Sequence, residues 1–542
     1  MAKVHGGQIV ARALKAEGVD TIFTLTGGHI VPILDGCVQE GVDVVDVRHE
    51  QTAGHAAEAY SRLTGRLGVA VVTAGPGATG TVTAVATALQ ASTPMLVIAG
   101  RHMIRQEKRG GLQEMDHPEI FKPITHWAST VFDVDRLADH LQTAASRAFS
   151  GRGGPVFVDI PMDVQFDMIE ESAVTIASRQ AVPVSGADDD TLDRIVAALV
   201  RSERVMIFAG EAPAAGHEGD LTRLAEVLEA PTYLNSRARG SLPHDHPLLG
   251  NRARSRAMAG ADVVLALGVD WDFRTNYGEK LKPDITLIHV DRDPAKIGWN
   301  RKAEIGVLAD PSSVVAQLLD RSPEIGRTGT PVWTKEIMEA ESAKSEEARA
   351  ASLDDSSPVM PERFAREVAE FFGPDAVVAV DGGDIVSTTA RWLQTSTPGH
   401  VLDPGPLGTL GTGPGYAIAA KTVFPERRVG IVFGDGGFGF NGMEYDTMVR
   451  LGLPVIGVVG NDGVWSNIKT FHTMFYPDRV VAADLGVRPY HDMVSGLGGH
   501  GEFVSDPAEI RPALERAEAS GLPSLVNVHL AETMRMSSNY SQ

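Results

Sequence analysis

Short apolar runs alternate with longer segments of helical periodicity along most of the chain. Runs such as GVAVVTAG (68–75), RVMIFAG (204–210) and RVGIVFGD (428–435) are almost continuous in apolar residues. Strands that are buried on both faces have this composition, and strand–helix alternation is typical of parallel sheets with crossover helices. The pattern therefore predicts an α/β protein built from doubly wound parallel sheets.

Two polar stretches interrupt this alternation. Residues 167–190 are weakly periodic, and residues 322–360 contain prolines, glycines, a charged helical segment and the run DDSSP. We interpret both as linkers. They divide the chain into three expected domains, residues 1–166, 190–322 and 360–532, followed by a tail of residues 533–542 that could order over a ligand.

The overall charge narrows the set of partners. The chain of 542 residues has a formal net charge of −21, which disfavours nucleic acid and anionic membrane surfaces as partners. Its single cysteine, Cys37, excludes an intramolecular disulfide. No apolar stretch reaches the roughly 18 residues of a membrane span, and the N-terminal pattern differs from a signal peptide. A cytoplasmic enzyme is the expectation.

Two acidic turns follow strands in the last predicted domain. Asp435 ends IVFGD, and Asp462 ends VIGVVGND one strand–helix unit later. This separation suits adjacent parallel strands, whose carboxyl ends would bring both carboxylates to one sheet edge. Such oxygens suit Mg²⁺, with the carbonyl of Val464 as a third ligand, and Gly436 and Gly437 would let amides approach phosphate oxygens. A Gly-Asp-Gly turn alone is common in many protein classes.

A Gly-Asp-Gly followed at this spacing by Asn-Asn resembles the motif of thiamine-diphosphate enzymes, although Asp462 stands where that family usually has the second asparagine. The family's first-domain glutamate matches Glu50 in VDVRHEQTAGHAAEAYSR. The resemblance implies that Glu50 hydrogen-bonds N1′ of the aminopyrimidine and moves a proton, whereas the bland alternative is a carboxylate that stabilises a helix N-terminus. The resemblance also covers the segment DPGPLGTLGTGPGYAIAA. There it implies that the carbonyl of Gly408 accepts a hydrogen bond from the 4′-amino group of the cofactor and that the side chain of Leu410 supports the cofactor in its bent conformation. Asp384 is assigned to the same cofactor site.

The predicted domain order resembles the group that includes acetolactate synthase, benzaldehyde lyase, oxalyl-CoA decarboxylase and 2-hydroxyacyl-CoA lyase. His29, in TLTGGHIVPILD, stands where benzaldehyde lyase has a histidine, and Gln113, in GGLQEMDHPEIF, matches a glutamine-containing segment. The resemblance implies that both residues handle the hydroxyl group of the substrate and that Trp465 lines the pocket. Either polar residue could instead cap local backbone.

Two features favour an acyl-CoA substrate. The segment NSRARGSLPHDHPLLGNRARSRA is arginine-rich in an otherwise acidic chain, and arginine clusters suit phosphates. Arg254 and Arg256 are its assigned substrate contacts, although a solvated face or a subunit interface would have the same composition. In the resembling lyases a C-terminal segment closes over the CoA thioester, which implies that Arg535 and Tyr540 contact the substrate.

These observations predict a thiamine-diphosphate and Mg²⁺ enzyme that cleaves a 2-hydroxyacyl-CoA to formyl-CoA and an aldehyde or ketone, reversibly as a carboligation. The alternative is a benzaldehyde-lyase-like or acetolactate-synthase-like carboligase that acts on free aldehydes or 2-oxo acids. Because the cofactor spans two subunits in this family, the resemblance also implies a homodimer or homotetramer with shared active sites.

Overall fold

The structure is a computed structural model that describes residues 2–180, 182–327, 329 and 331–533. Three six-stranded parallel sheets flanked by helices follow one another along the chain, which confirms the predicted fold class. We call the corresponding parts the N-terminal, middle and C-terminal units. Arg535, Tyr540 and nearly all of the predicted tail lie outside the described residues. Among the described helices, none combines the length and the apolar character needed to cross a membrane.

The N-terminal unit contains the first of these sheets. Its strands are β1 Lys3–His5, β2 Thr21–Leu25, β3 Asp43–Asp46, β4 Gly68–Val72, β5 Met95–Arg101, β6 Trp127–Thr130, β7 Pro155–Pro161 and β8 Met168–Glu170. Its helices are α1 Gly6–Ala16, α2 Val31–Glu40, α3 Glu50–Thr64, α4 Pro76–Gly80, α5 Val82–Gln90, α6 His117–Phe121, α7 Leu137–Ala148 and α8 Met162–Phe166. The strand order is β3-β2-β4-β5-β7-β6, and β1 pairs with β8 in a separate antiparallel ribbon. Every residue of β4, β5 and β7 is buried, as continuous apolar runs require.

The middle unit has the strand order β11-β10-β9-β12-β13-β14. These strands are β9 Val205–Ala209, β10 Thr232–Leu234, β11 Leu249–Gly250, β12 Val263–Leu267, β13 Thr286–Asp291 and β14 Ile305–Leu308. The helices are α9 Asp189–Arg201, α10 Asp220–Leu228, α11 Arg254–Gly260, α12 Pro311–Asp320, α13 Ser322–Ile325 and α14 Val332–Ala351. Residues 322–360, interpreted above as a linker, therefore contain two helices. Helix α14 packs on this unit, because Ile337 belongs to its core and the Thr334 hydroxyl donates to the carbonyl of Glu229 at 2.9 Å.

The C-terminal unit has the strand order β16-β15-β17-β18-β20-β19. These strands are β15 Val377–Asp381, β16 Val401–Leu402, β17 Val429–Gly434, β18 Ile456–Asn461, β19 His500–Val504 and β20 Ser524–His529. The helices are α15 Pro361–Phe372, α16 Asp384–Ala390, α17 Gly413–Val423, α18 Asp435–Asn441, α19 Glu444–Leu451, α20 Ser466–Phe475, α21 Tyr490–Gly496 and α22 Ile510–Ala519. Short 3₁₀ helices complete the described elements: Gly28–Ile30, Ile104–Gln106, Lys122–Ile124, Val134–Arg136, Glu171–Ala173, Ser236–Ala238, Phe273–Gly278, Gly405–Leu407 and Pro507–Glu509.

The N-terminal and C-terminal units share one apolar core. Helices α3 and α17 lie against each other, and residues of both belong to a single cluster of buried side chains. The approach is close because α17 has Gly415 at the contact, where a Cβ would lie 2.8 Å from Cβ of His55. Across the same contact, the Tyr416 hydroxyl donates to the buried carboxylate of Glu58 at 2.9 Å. The contact fixes the start of α3, at Glu50, relative to the loop that precedes α17.

Candidate active site

The carboxyl ends of β17 and β18 bring Asp435 and Asp462 to one edge of the C-terminal sheet. The two strands are parallel neighbours, and the Asp435 residue is only 4% exposed. Its carboxylate accepts hydrogen bonds from the amides of Gly436 at 2.7 Å and Gly463 at 2.8 Å. The Asp462 carboxylate accepts from the amide of Val464 at 3.2 Å. The backbone amides of the short turns that follow the two strands thus orient both carboxylates.

Both carboxylates are destabilised as anions. Burial and the negative charge of Asp462 raise the pKa of Asp435 to about 7. Burial also raises the pKa of Asp462, and nearby Glu532 adds to this effect. A divalent cation between the two carboxylates would remove their repulsion, and carboxylate oxygens are the hard ligands that Mg²⁺ prefers. The donor set at this edge therefore fits Mg²⁺.

The turn that follows β17 has room only for glycine. A Cβ at Gly436 would lie 2.1 Å from the indole ring of Trp465, and a Cβ at Gly437 would lie 2.8 Å from Oδ1 of Asp381. Trp465 thus packs directly on this turn. Asp384 opens α16 after β15, the strand beside β17. The turns after β15, β17 and β18 together form the edge at which a diphosphate could approach main-chain amides.

The loop before α17 is anchored by a buried acid that the sequence did not single out. Asp381 accepts hydrogen bonds from the amides of Gly411 at 3.0 Å and Gly413 at 2.8 Å, and burial raises its pKa. Gly408 adopts the left-handed conformation with φ of 66°, which glycine reaches without strain. The carbonyl of Leu410 accepts from the side chain of Gln51 at 3.4 Å. Of the two predicted cofactor residues of this loop, Leu410 thus lies against the start of α3.

Glu50 is the first residue of α3 and is partly buried. Its carboxylate rests on the short helix α4. A Cβ at Gly80 would lie 3.0 Å from Oε2 of Glu50, and a Cβ at Gly77 would lie 3.7 Å from Oε1. The preceding residue, His49, caps the helix by accepting from the amide of Gln51 at 3.0 Å. The observed role of His49 is thus to cap this helix.

A carboxylate from the C-terminal unit holds the segment that leads to Glu50. Both oxygens of Glu444 accept from the amide of Arg48, each at 3.1 Å, and the Thr447 hydroxyl also donates to this carboxylate at 2.6 Å. Burial raises the pKa of Glu444. Sequence analysis missed this residue, whose only local mark is its position at the start of a helix soon after the Gly-Asp-Gly turn.

His29, Thr73 and Gln113 form a chain of polar contacts in the N-terminal unit. His29 is buried, and its Nδ1 lies 3.2 Å from the Thr73 hydroxyl, which contacts Oε1 of Gln113 at 3.5 Å. Burial lowers the pKa of His29, and the neighbouring His102 adds to this shift. A neutral imidazole near pH 7 can accept a proton. The structure thus joins the two predicted substrate residues through a threonine that the sequence did not indicate.

The loop that carries Gln113 is braced by charged side chains at its base. His102 Nε2 contacts Oε2 of Glu107 at 2.8 Å, and Arg101 donates to the same oxygen at 2.9 Å. Glu114 accepts from the amide of Gly111 at 2.8 Å. The carboxylates of Glu107 and Glu114 are therefore engaged by side chains at the end of β5 and by the backbone of the loop itself.

The arginine-rich segment lies at the junction of the three units. Four of its five arginines donate to main-chain carbonyls: Arg237 to Ser92, Arg239 to Ala390, Arg252 to Arg391 and Arg254 to Arg274. The Arg254 guanidinium also lies over the ring of Phe208, and burial lowers its pKa. Arg256, on the same helix, is exposed. These contacts assign most of the cluster to packing between units, and only Arg256 of the two predicted substrate contacts faces solvent.

Three family models match the chain in the same order as the three sheets. They are the N-terminal TPP binding domain (residues 4–120), the central domain (192–318) and the C-terminal TPP binding domain (381–528) of thiamine pyrophosphate enzymes. The fold and the paired acidic turns define a thiamine-diphosphate-dependent enzyme. This chain belongs to the thiamine pyrophosphate enzyme family, and its cofactor is thiamine diphosphate with Mg²⁺, the usual partner ion.

Relatives that are named for two different activities match nearly the whole chain. The acetolactate synthase large subunit IlvG of Mycobacterium tuberculosis is 41% identical over 97% of this chain and 95% of its own length. A probable acetolactate synthase of Mycobacterium bovis matches equally well. The 2-hydroxyacyl-CoA lyase 2 of Homo sapiens is 35% identical over 98% of this chain and 90% of its own length. Both groups are similar to this chain from end to end.

Proposed function

We propose that this enzyme is a carbon–carbon lyase that cleaves a 2-hydroxyacyl-CoA to formyl-CoA and an aldehyde or ketone, and that it catalyses the reverse carboligation. The observation that carries the proposal is the buried His29, whose pKa is lowered by burial, in contact with Thr73 and, through it, Gln113. Cleavage beside a hydroxyl group requires that the hydroxyl proton leave as the bond breaks, and a neutral imidazole is a suitable acceptor.

The cofactor is proposed to bind between two sets of residues. Asp435, Asp462 and the carbonyl of Val464 would hold Mg²⁺ and, through it, the diphosphate, because the two carboxylates end adjacent strands and the pKa of each is raised. The amides of Gly436 and Gly437 would approach phosphate oxygens, since neither position has room for a side chain. Asp384, on the neighbouring strand end, and Trp465, which packs on the turn, complete this set.

Glu50 is proposed to hold and move a proton at its carboxylate. When bound, thiamine diphosphate supplies a nucleophilic carbon and an electron sink for the bond that is broken or formed. Glu50 would hydrogen-bond the pyrimidine ring nitrogen, and the carbonyl of Gly408 would accept from the amino group of that ring. Leu410 would support the ring from its apolar side. Glu50 opens α3 with its carboxylate against α4, and the Gly408 loop precedes α17 of the C-terminal unit. In the proposed dimer, these two groups would come from different copies of the chain.

Two observations bear on the CoA carrier. The relatives named 2-hydroxyacyl-CoA lyase 2 match the whole chain, which favours a thioester substrate. The internal contacts of Arg237, Arg239, Arg252 and Arg254 weaken the argument from the arginine-rich segment, and Arg256 remains its exposed candidate. A role of Arg535 and Tyr540 in covering the carrier stays a prediction.

An acetolactate synthase is the second candidate, and the 41% identity to the mycobacterial proteins favours it. In that reaction the same histidine would donate a proton to the alkoxide that forms when the new carbon–carbon bond closes. A homodimer or homotetramer with active sites shared between subunits is proposed for either activity. It would let Glu50 of one copy meet the diphosphate turn of another.

A side-by-side assay separates the candidates. The purified enzyme, saturated with thiamine diphosphate and Mg²⁺, is incubated with a 2-hydroxyacyl-CoA, oxalyl-CoA, pyruvate and benzoin in turn. The proposal requires formyl-CoA from the first substrate. If acetolactate forms from pyruvate while the thioester stays intact, the lyase proposal is wrong and the enzyme is an acetolactate synthase. If only benzoin is cleaved, the enzyme is a lyase of free aldehydes.

A further inference from the structure

A buried histidine outside the predicted site holds the turn on which Glu50 rests. The amide of Gly75 donates to Nε2 of His117 at 2.9 Å, and Nδ1 of His117 lies 2.9 Å from Oδ2 of Asp159. Arg101 donates to the same oxygen at 3.0 Å. The side chains of His117 and Asp159 are both fully buried. Three side chains from separate segments of the N-terminal unit thus form one chain of contacts that ends on a single main-chain amide.

The turn that begins at Gly75, together with α4, lies against two of the proposed catalytic side chains of this unit, Gln113 and Glu50. Gly75 has φ of 56° and precedes α4, and a Cβ there would lie 2.8 Å from Cβ of Gln113. At the other end of α4, a Cβ at Gly80 would lie 3.0 Å from Oε2 of Glu50. A displacement of Gly75 would therefore move the surfaces against which Glu50 and Gln113 both pack.

The hydrogen bonds fix the tautomer of His117. Nε2 accepts from an amide, so it carries no proton, and the proton of the neutral ring is on Nδ1, where it is donated to Asp159. The carboxylate thereby selects the ring form that can hold the Gly75 amide, while Arg101 balances its charge. An imidazole with the proton on Nε2 would instead direct an N–H group at the N–H group of Gly75, and no hydrogen bond could form.

We propose that the pair His117–Asp159 positions Glu50 and Gln113 for the reaction by clamping the amide of Gly75. Both are positioning residues, since His117 contacts the turn and Asp159 acts through His117. The inference rests on the proposed function only in the role it gives to Glu50. A displacement of that carboxylate by even 1 Å should slow proton transfer by up to about 100-fold, because such transfers depend steeply on alignment.

The test compares His117→Leu, His117→Gln and Asp159→Asn. Glutamine can accept from the Gly75 amide through its carbonyl and donate to Asp159 through its NH₂, whereas leucine can do neither. Hydrogen exchange of cofactor-free protein, read by mass spectrometry on peptides covering residues 73–81, reports the clamp without any cofactor. Exchange of the C2 proton of bound thiamine diphosphate reports the position of Glu50 without any substrate.

We expect His117→Leu to speed amide exchange of this peptide and to slow C2-proton exchange, each by about 10-fold or more, with cofactor affinity changed by less than about threefold. His117→Gln should restore both rates to within about threefold, and Asp159→Asn should resemble His117→Leu. His126→Leu, which alters an exposed histidine of the same unit, is the matched control.

A wild-type rate of amide exchange in His117→Leu would show that His117 does not hold the Gly75 amide in place. Faster amide exchange with normal C2-proton exchange would overturn its link to Glu50. If His117→Leu does not fold, His117→Gln and Asp159→Asn decide: the proposal requires near-normal rates in the first and slow C2-proton exchange in the second. Failure of the proposed function has a different mark, namely no cleavage of 2-hydroxyacyl-CoA while both exchange rates behave as described.

Discussion

The carboxylate of Asp462 raises the pKa of Asp435, adding to the larger effect of burial, so that Asp435 titrates at about 7. The two residues end neighbouring parallel strands, and neither has a cationic partner among the hydrogen bonds that hold it. Two adjacent acids, one buried and one partly buried, form a site whose charge is compensated when a divalent cation binds.

The affinity for Mg²⁺ should depend on pH. A proton on Asp435 and the cation compete for the same carboxylate, so the apparent dissociation constant for Mg²⁺ should rise as pH falls below about 7. Between pH 7 and pH 5 we expect a loss of affinity approaching about tenfold per pH unit, with proton release on binding. Calorimetric titrations in buffers of different ionisation enthalpy measure both effects. A flat pH profile would contradict the assignment of Asp435 as a ligand.

The metal-free protein should gain stability from Asp435→Asn at high pH. The folded-state pKa of about 7 lies above the ordinary value of 3.8, so the contribution of this group to stability is present at low pH and is lost as pH rises through about 7. The advantage of the variant should therefore grow by about 1.4 kcal/mol per pH unit between about pH 4 and 7. Thermal unfolding in EDTA at pH 5 and pH 8 tests whether the stability of Asp435→Asn relative to wild type increases with pH. Ser466→Ala, which removes a neutral partner of Asp462, is the control.

The fold and the strand-end acids could be predicted because their information is local. Buried strands appear as apolar runs, and Glu50, Asp435 and Asp462 each lie where a strand gives way to a turn or helix. Asp381, Thr73 and Glu444 could not be found in this way, since their partners are 30, 40 and 396 residues distant. The arginine-rich segment misled for a related reason: composition does not reveal that Arg239 and Arg252 point to carbonyls of another unit.

Glu50→Gln should stop cofactor activation without releasing the cofactor. Glutamine keeps the size of the side chain and its place on α4 but cannot exchange a proton at the pyrimidine nitrogen. C2-proton exchange should fall by about 10²–10⁴-fold, the usual range for loss of a general acid–base group, while diphosphate binding changes little. Quenched-flow NMR of the loaded enzyme gives the rate. An exchange rate equal to that of wild type would remove Glu50 from its proposed role.

His29→Ala should separate substrate chemistry from cofactor activation. The variant removes the proposed proton acceptor, so kcat for lyase cleavage should fall by about 10²–10⁴-fold while C2-proton exchange stays near normal. Thr73→Val, which removes only the hydroxyl that contacts His29, should cost less, about 10-fold. Steady-state kinetics beside C2-proton exchange provide the measurement. Loss of both rates to the same extent in His29→Ala would show that the histidine supports the cofactor instead.

The proposed reaction makes a direct statement about one carbon atom. In a 2-hydroxyacyl-CoA labelled with ¹³C at the thioester carbon, the bond from that carbon to the hydroxyl-bearing carbon breaks, and the labelled carbon leaves as the formyl group of formyl-CoA. Mass spectrometry of the products should find the label in formyl-CoA, in equal amount to the aldehyde or ketone, and a rate of product formation about 10²–10⁴-fold lower with Glu50→Gln. The account would be contradicted if the labelled thioester remained intact with an enzyme preparation that converts pyruvate to acetolactate.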